Sequence, residues 1–309
     1  MNLLMALVLA AALAGCATRP PSPDRFTFAV LGDTPYNDAE EREFPLLIDR
    51  INAENVDFTI HVGDFKGGGD CSDALYAKRR AQFDSFTTPL VYTPGDNEWT
   101  DCRRPYMGSM DPLERLARLR TVFFADRFSL GRQRLATEAQ DACLAPPVSG
   151  CGCGAYPENR SWEFRGVRFV TLNIPGSHNN VGFDAASDAE AVCRNEANSR
   201  WLGRAVEAAQ APGVKALVIA IQANPWDPKF AAYKGFLAQM ETTTRIAKPV
   251  LFVHGDSHTY RVDYPFTAPI RRLETFGSPF VGWVKVTVDP AVHDLFVFQP
   301  HLQKLVPPR

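Results

Sequence analysis

"YTPGDNEWTDC" (Tyr92–Cys102) breaks from an apolar, strand-forming stretch into a glycine followed at once by Asp96, Asn97 and Glu98. A glycine at the end of an extended run lets the chain turn where a side chain would clash. Asp and Asn are ordinary loop formers, so one such ending is by itself a polar turn. Here the ending recurs. "FTFAVLG" runs into Gly32-Asp33, "DFTIHVG" into Gly63-Asp64, "PLVYTPG" into Gly95-Asp96 and "KPVLFVHG" into Gly255-Asp256. Ligands of open α/β sheets sit beyond the carboxyl ends of the strands, so these aspartates are expected in one crevice. Carboxylates crowded in a partly dry site repel one another, and a divalent cation is the natural compensation.

Outward from those endings the chain alternates strand-length apolar runs with helix-period segments. "VRFVTLN" and "ALVIAIQ" add strands, and "SWEFRGVRFVTLN" and "GWVKVTVDPAVHDLFVFQ" read as hairpins turning at Arg165-Gly166 and Asp289-Pro290. Apolar residues three and four apart predict helices in "AEEREFPLLIDRINAEN", "SDALYAKRRAQFDSF", "PLERLARLRTVFFA", "DAEAVCRNEANSRWLGRAVEAAQ" and "KFAAYKGFLAQMETTTRIA". The expected class is α/β with mixed sheets. A chain of 309 residues, 45% hydrophobic and with a formal charge of −2, can bury a full core. It lacks the basic surplus of a nucleic-acid-coating protein. Oligomeric state is not legible.

In order and spacing these motifs resemble those of the calcineurin-like metallophosphoesterases, whose pattern is Asp-x-His, Gly-Asp, Gly-Asn-His-Asp/Glu, a His shortly before a Pro, and Gly-His-x-His. Asp33, Gly63-Asp64, Gly95 with Glu98, and Gly255 with His258 match it, over roughly Phe26 to Pro300. The resemblance implies a two-sheet mixed β sandwich flanked by helices. It also implies hydrolysis of a phosphoester, in a phosphorylated small molecule or similar substrate, by a metal-activated water. The departures are specific. Pro35 stands at a ligand histidine, Asp96 at the metal-binding asparagine, Asn97 at the catalytic histidine and Asp256 at the first histidine of the last motif, while "IQANPW" offers Gln222 and Asn224 where another histidine is expected.

The resulting donor set of Asp33, Asp64, Asp96, Asp256, His258 and the amides of Gln222 and Asn224 is hard. It suits one or two Mg²⁺, Mn²⁺ or Ca²⁺ ions better than Zn²⁺. By resemblance Asp64 bridges two cations, with Asp33 and His258 on one and Asp96, Asp256 and Gln222 or Asn224 on the other. Asn97 cannot protonate a leaving group as an acid does, so His178 in "NIPGSHNN" is the candidate replacement. The competing functional reading is a catalytically degenerate lipoprotein that binds metal or a phosphoryl ligand without turnover. Among neighbouring residues, His61 and His254 read as core histidines with one hydrogen bond, Lys66 as a solvated lysine near any phosphate, and Trp99, Trp226 and Tyr36 as aromatics able to floor a pocket but packed by default. "KGGGD" (Lys66–Asp70) lacks the Walker pattern, and no Gly-x-Ser-x-Gly elbow occurs.

The N-terminus carries an address. "MNLLMALVLAAALAGC" holds an apolar run too short to span a membrane, and it ends in Leu13-Ala14-Gly15-Cys16, which resembles the bacterial lipoprotein box. A plain secretory signal is the alternative. Residues 1–15 are expected to be a signal peptide, 16–25 a tether, and 26–309 the domain, with a cysteine-containing insertion around 127–160. Such a protein is exported and lipid-anchored at Cys16 to a bacterial membrane, facing the periplasm. Disulfides then become the default. Cys71 and Cys102 each follow a strand-end motif on neighbouring strands and are expected to pair. Cys143, Cys151, Cys153 and Cys193 would pair among themselves, against the rival reading of "GCGCG" as a soft-metal site.

Overall fold

The computed structural model describes residues 22–140, 151, 154–226, 231–243 and 245–306. The expected signal peptide and lipid anchor at Cys16, most of the expected tether, and Cys143, Gly150, Gly152 and Cys153 lie outside the described residues.

Two mixed sheets form a sandwich. In the first, β1 (Phe26–Leu31), β2 (Phe58–His61) and β3 (Leu90–Tyr92) run parallel, and β11 (Phe280–Val288) and β12 (Phe296–Leu305) complete the order β12-β11-β1-β2-β3 as an antiparallel hairpin. The second contains β4 (Glu138–Gln140), β5 (Tyr156–Phe164), β6 (Val167–Thr171), β7 (Ala216–Ala220), β8 (Val250–His254), β9 (Arg261–Asp263) and β10 (Ile270–Glu274), in the order β4-β5-β6-β7-β8-β10-β9. Its β6, β7, β8 and β10 are parallel. Both expected hairpins form, β5 with β6 and β11 with β12.

Side-chain alternation builds the layers. Phe26, Phe28 and Val30 of β1 face the inter-sheet core with Ala216, Val218 and Ala220 of β7, whereas Ala29 and Leu31 face the helices outside the first sheet. Those helices are α1 (Asp38–Ala53), α2 (Asp73–Phe83) and α3 (Pro112–Phe123), and their apolar stripes include Phe44, Leu47, Ile51, Phe83, Leu116 and Leu119. Leu217, Ile219 and Ile221 pack outward instead, against α5 (Ala185–Ala209) and α6 (Lys234–Thr243). A single turn, α4 (Gly176–Asn179), follows β6. Side chains cap the helices where the sequence provides them, Asn37 accepting from the Ala39 and Glu40 N–H groups and Asp184 from that of Ser187.

The last predicted helix is shorter than its periodicity suggested, a 3-10 turn at Ala231–Tyr233 leading into α6. Strands β4, β9 and β10 were not foreseen. Cys71 and Cys102 are bonded, as are Cys151 and Cys193.

Candidate active site

Each aspartate lies just past its strand: Asp33 after β1, Asp64 after β2, Asp96 after β3 and Asp256 after β8. The first sheet thus delivers three carboxylates to the seam and the second delivers Asp256, His258, Gln222 and Asn224. Asp33, Asp64, Asp256 and His258 all adopt left-handed backbone, with φ of 52, 54, 76 and 59°. Such conformations are uncommon outside glycine and cluster at functional sites. The adjacent glycines allow the close approach. A Cβ on Gly95 would meet Asp64 Oδ1 at 2.1 Å, and one on Gly255 would meet Asp33 Oδ2 at 2.1 Å.

Hydrogen bonds then aim the side chains. Asp33 accepts from the Asp256 N–H at 3.0 and 3.1 Å, and Asp256 accepts from the Asn224 N–H at 2.7 Å. Asp64 accepts from the Asn97 N–H at 3.0 Å, the Asn97 amide at 2.9 Å and the Tyr36 hydroxyl at 2.7 Å. His258 Nδ1 lies 2.7 Å from the Ser278 carbonyl, which can only accept, so the proton sits on Nδ1. Nε2 is left bare, 3.6 Å from Asp33 Oδ1 and 3.3 Å from the Tyr36 hydroxyl. Asp96 Oδ2 lies 2.7 Å from the Ser177 hydroxyl, while its buried Oδ1 has no hydrogen-bond partner.

The crowding shows in the titration of these groups. Burial, and then the charge of Asp256, hold the Asp33 carboxyl well above the usual range; for Asp64 the causes are burial and then Asp96. Asp256 is pushed up to about 7 by burial and Asp96, and Asp101 to about 6 by the same two causes. Burial lowers His258. The cluster is short of positive charge in its midst.

Most of the expected site residues meet here. Gln222 and Asn224 line the second sheet's side, but their side-chain oxygens accept from the Gly176 and Trp226 N–H groups, at 2.5 and 3.2 Å. His178 is exposed on α4 with its ring 6.1 Å from that of Phe183, and it is Ser177 beside it that reaches Asp96. Lys66 is not solvated. It is buried and donates to the Gly67 and Asn97 carbonyls at 2.8 and 3.0 Å, clamping the two loops. His61 is buried between Phe83 and Tyr92 and neither ring nitrogen has a hydrogen-bond partner, so burial, followed by the charge of Arg79, drops it to about 3. His254 is a buried histidine bonded through Nδ1 to Gly255 O. Trp99 is fully buried under Arg194, and Trp226 packs edge-on against Phe266, whereas Tyr36 enters the site itself.

Sequence reasoning underrated Glu98, Ser177 and Asp101. Glu98 Oε1 accepts from the Tyr92 hydroxyl, the Gly95 N–H and the Asp64 N–H at 2.6, 2.8 and 3.1 Å, tying two Gly-Asp turns to one buried carboxylate. Its place at the end of the Gly95 motif was the available signal. Nothing in the sequence marks Asp101, which shares the Ser177 hydroxyl with Asp96.

Among the described residues no group of three or more His, Cys, Asp or Glu side chains is closed into a cage ready to hold a metal ion. The carboxylates instead accept from Tyr36, Asn97 and backbone N–H groups. The donor chemistry nonetheless fits a hard cation: mutually repelling carboxylates, a partnerless Asp96 Oδ1 and a histidine fixed in the tautomer that leaves Nε2 free.

A sandwich whose strand ends bring carboxylates from both sheets to one seam has the layout of a metallophosphoesterase. The sequence profile of the calcineurin-like phosphoesterases matches residues 26–202, and the chain belongs to that family. The match includes Asp33, Asp64 and Asp96 and ends before Gln222, Asp256 and His258. Two solved structures share the fold. One is a dimetal phosphatase from Danio rerio, 12% identical over 90% of this chain and 96% of that one, with a TM-score of 0.56. The other is GAP50, the anchor in the inner membrane complex of Plasmodium, 10% identical over 91% of this chain and 90% of that one, with a TM-score of 0.51. No curated protein matches the sequence.

Proposed function

We propose that the chain is a metal-dependent phosphoester hydrolase, exported as a lipoprotein anchored through Cys16 and facing the periplasm. The observation that supports this most is the meeting of Asp33, Asp64, Asp96 and Asp256 with the bare Nε2 of His258. Those residues would hold one or two divalent cations, Mg²⁺, Mn²⁺ or Ca²⁺ before Zn²⁺, with Gln222 and Asn224 on the second sheet's side. Bound there, a cation supplies a Lewis acid for phosphoryl oxygens and lowers the pKa of a water.

The chain's own groups do the rest. Asn97 orients Asp64 through both its backbone N–H and its amide. Ser177 fixes Asp96, and Lys66 keeps the Asp64 and Asn97 loops together. His178, on the turn beside Ser177, is the candidate to protonate a leaving group; where it does not serve, hydrolysis is confined to esters with good leaving groups.

The test pairs metal analysis of purified protein with a phosphoester screen in added Mn²⁺, Mg²⁺ and Ca²⁺. Asp64→Ala should lose bound metal and all hydrolysis; wild-type metal content and turnover in that variant would move the site elsewhere. A second reading, binding without turnover, is favoured by the commitment of the Asn97 amide to Tyr36 and Asp64, at 2.9 Å each. It predicts tight Mn²⁺ binding with no cleavage of even activated aryl phosphates.

A further inference from the structure

The Tyr36 hydroxyl stands at the centre of one half of the carboxylate crevice. It lies 2.7 Å from Asp64 Oδ2, 2.9 Å from the Asn97 amide nitrogen and 3.3 Å from His258 Nε2. Those contacts include two of the atoms that, with Asp33, would hold a cation on this side. The placement is built rather than incidental. The Tyr36 N–H donates to Glu40 Oε2 at 2.8 Å, and Glu40 Oε1 in turn accepts from Ser278 at 2.6 Å, the residue whose carbonyl fixes His258. The Tyr36 ring meets that of His258 edge-on, with centroids 5.0 Å apart.

The other half of the crevice differs. Asp96 is 8% exposed and its Oδ1 is buried without a partner. A Cβ on Gly176 would lie 2.8 Å from that oxygen and 2.9 Å from Asp256 Oδ1, so both oxygens converge on one point of backbone that only glycine leaves open. One half is therefore filled by a neutral hydroxyl that donates its single proton to Asp64. The other keeps an unsatisfied carboxylate oxygen.

We propose that this crevice takes a single divalent cation, on the side of Asp96 and Asp256, and that the Tyr36 hydroxyl occupies the place of the second. The inference rests on the metal-dependent reading above and narrows it. A hydroxyl hydrogen-bonded to Asp64 and facing His258 fills the space a cation would need and shares the Asp64 charge without adding a positive one. Asp64 would then reach the bound ion through one carboxylate oxygen, its other being held by Tyr36.

The test is Mn²⁺ stoichiometry by calorimetry and elemental analysis on the full chain, with electron paramagnetic resonance to separate an isolated ion from a coupled pair. Wild type should bind one Mn²⁺ with the spectrum of an isolated ion. Tyr36→Phe, which keeps the ring against His258 and removes only the oxygen, should bind two, with a coupled spectrum. Circular dichroism verifies that the variant folds. Two ions in wild type, one in folded Tyr36→Phe, or a tyrosinate absorption band growing in as Mn²⁺ is added would each overturn the role given to Tyr36. No Mn²⁺ in either protein would instead overturn the metal-dependent reading on which it rests.

Discussion

Glu98 is the residue whose loss should be felt furthest from its own position. Its Oε1 gathers the Tyr92 hydroxyl and the N–H groups of Gly95 and Asp64, all buried. Glu98→Ala leaves three donors unpaired, each worth about 1–3 kcal/mol when stranded away from water. The loss is partly offset, because burial already disfavours this carboxylate and raises its pKa. The net expectation is about 3 kcal/mol, a large share of the roughly 5–15 kcal/mol that holds a domain together. Glu98→Gln keeps an oxygen for the three donors but puts an NH₂ where Oε2 has no partner, so it should cost about 1 kcal/mol. Urea unfolding followed by circular dichroism measures both, and Mn²⁺ titration of the folded fraction should show weaker binding in the same order, because the Asp64 turn is what Glu98 holds. An alanine variant as stable as wild type, or a glutamine variant worse than alanine, would refute the reasoning.

In protein stripped of divalent cations, Asp33, Asp64 and Asp256 titrate above their ordinary range, Asp256 at about 7. The folded chain then holds protons that the unfolded chain, with carboxyls near about 4, has released, so stability declines as pH rises from about 4 through about 7. The urea midpoint should fall across that window and recover on addition of Mn²⁺; a midpoint that climbs instead would count against the crowding. Replacing Cys71 and Cys102 by alanine opens a bridge spanning 31 residues, worth about 3–4 kcal/mol in chain entropy. Thermal unfolding of the double variant should show that loss, and an unchanged midpoint would mean the loops are held by other contacts. Cys16→Ser should shift the protein from the membrane to the soluble fraction, and mass spectrometry that finds an unmodified N-terminus cut elsewhere would remove the lipid anchor.

The carboxylates were legible because they follow strands in register: strand-length apolar runs fix where a strand ends, and parallel strands carry those ends to one edge. The layers were legible for the same reason. Tyr36 comes from a loop and Ser177 and Asp101 from single short helical turns, whose side-chain directions no periodicity encodes. Lys66 looked solvated because charge usually is, yet two carbonyls brought together by the fold bind it. Strand β10 was hidden by its two arginines. Arg272 is buried there against Asp263 on β9 and the Trp226 ring, 4.6 Å away, and the half-buried Arg271 lies over the Phe298 ring at 4.6 Å.

The seam between the sheets also makes the sandwich interior part of the crevice's calibration. Oxygens from one sheet face oxygens and a nitrogen from the other, and the gap between them is set below by interlocked rings: Phe28 edge-on to Phe169 at 5.5 Å, Phe58 edge-on to Trp162 at 5.9 Å and to Phe169 at 5.2 Å. These rings act as a gauge block. Close-packed interiors pass on even a methylene's change in volume, so trimming a phenyl in that layer resets the spacing of donors at the far edge. Affinity for a cation can thus drift through residues that never come near it.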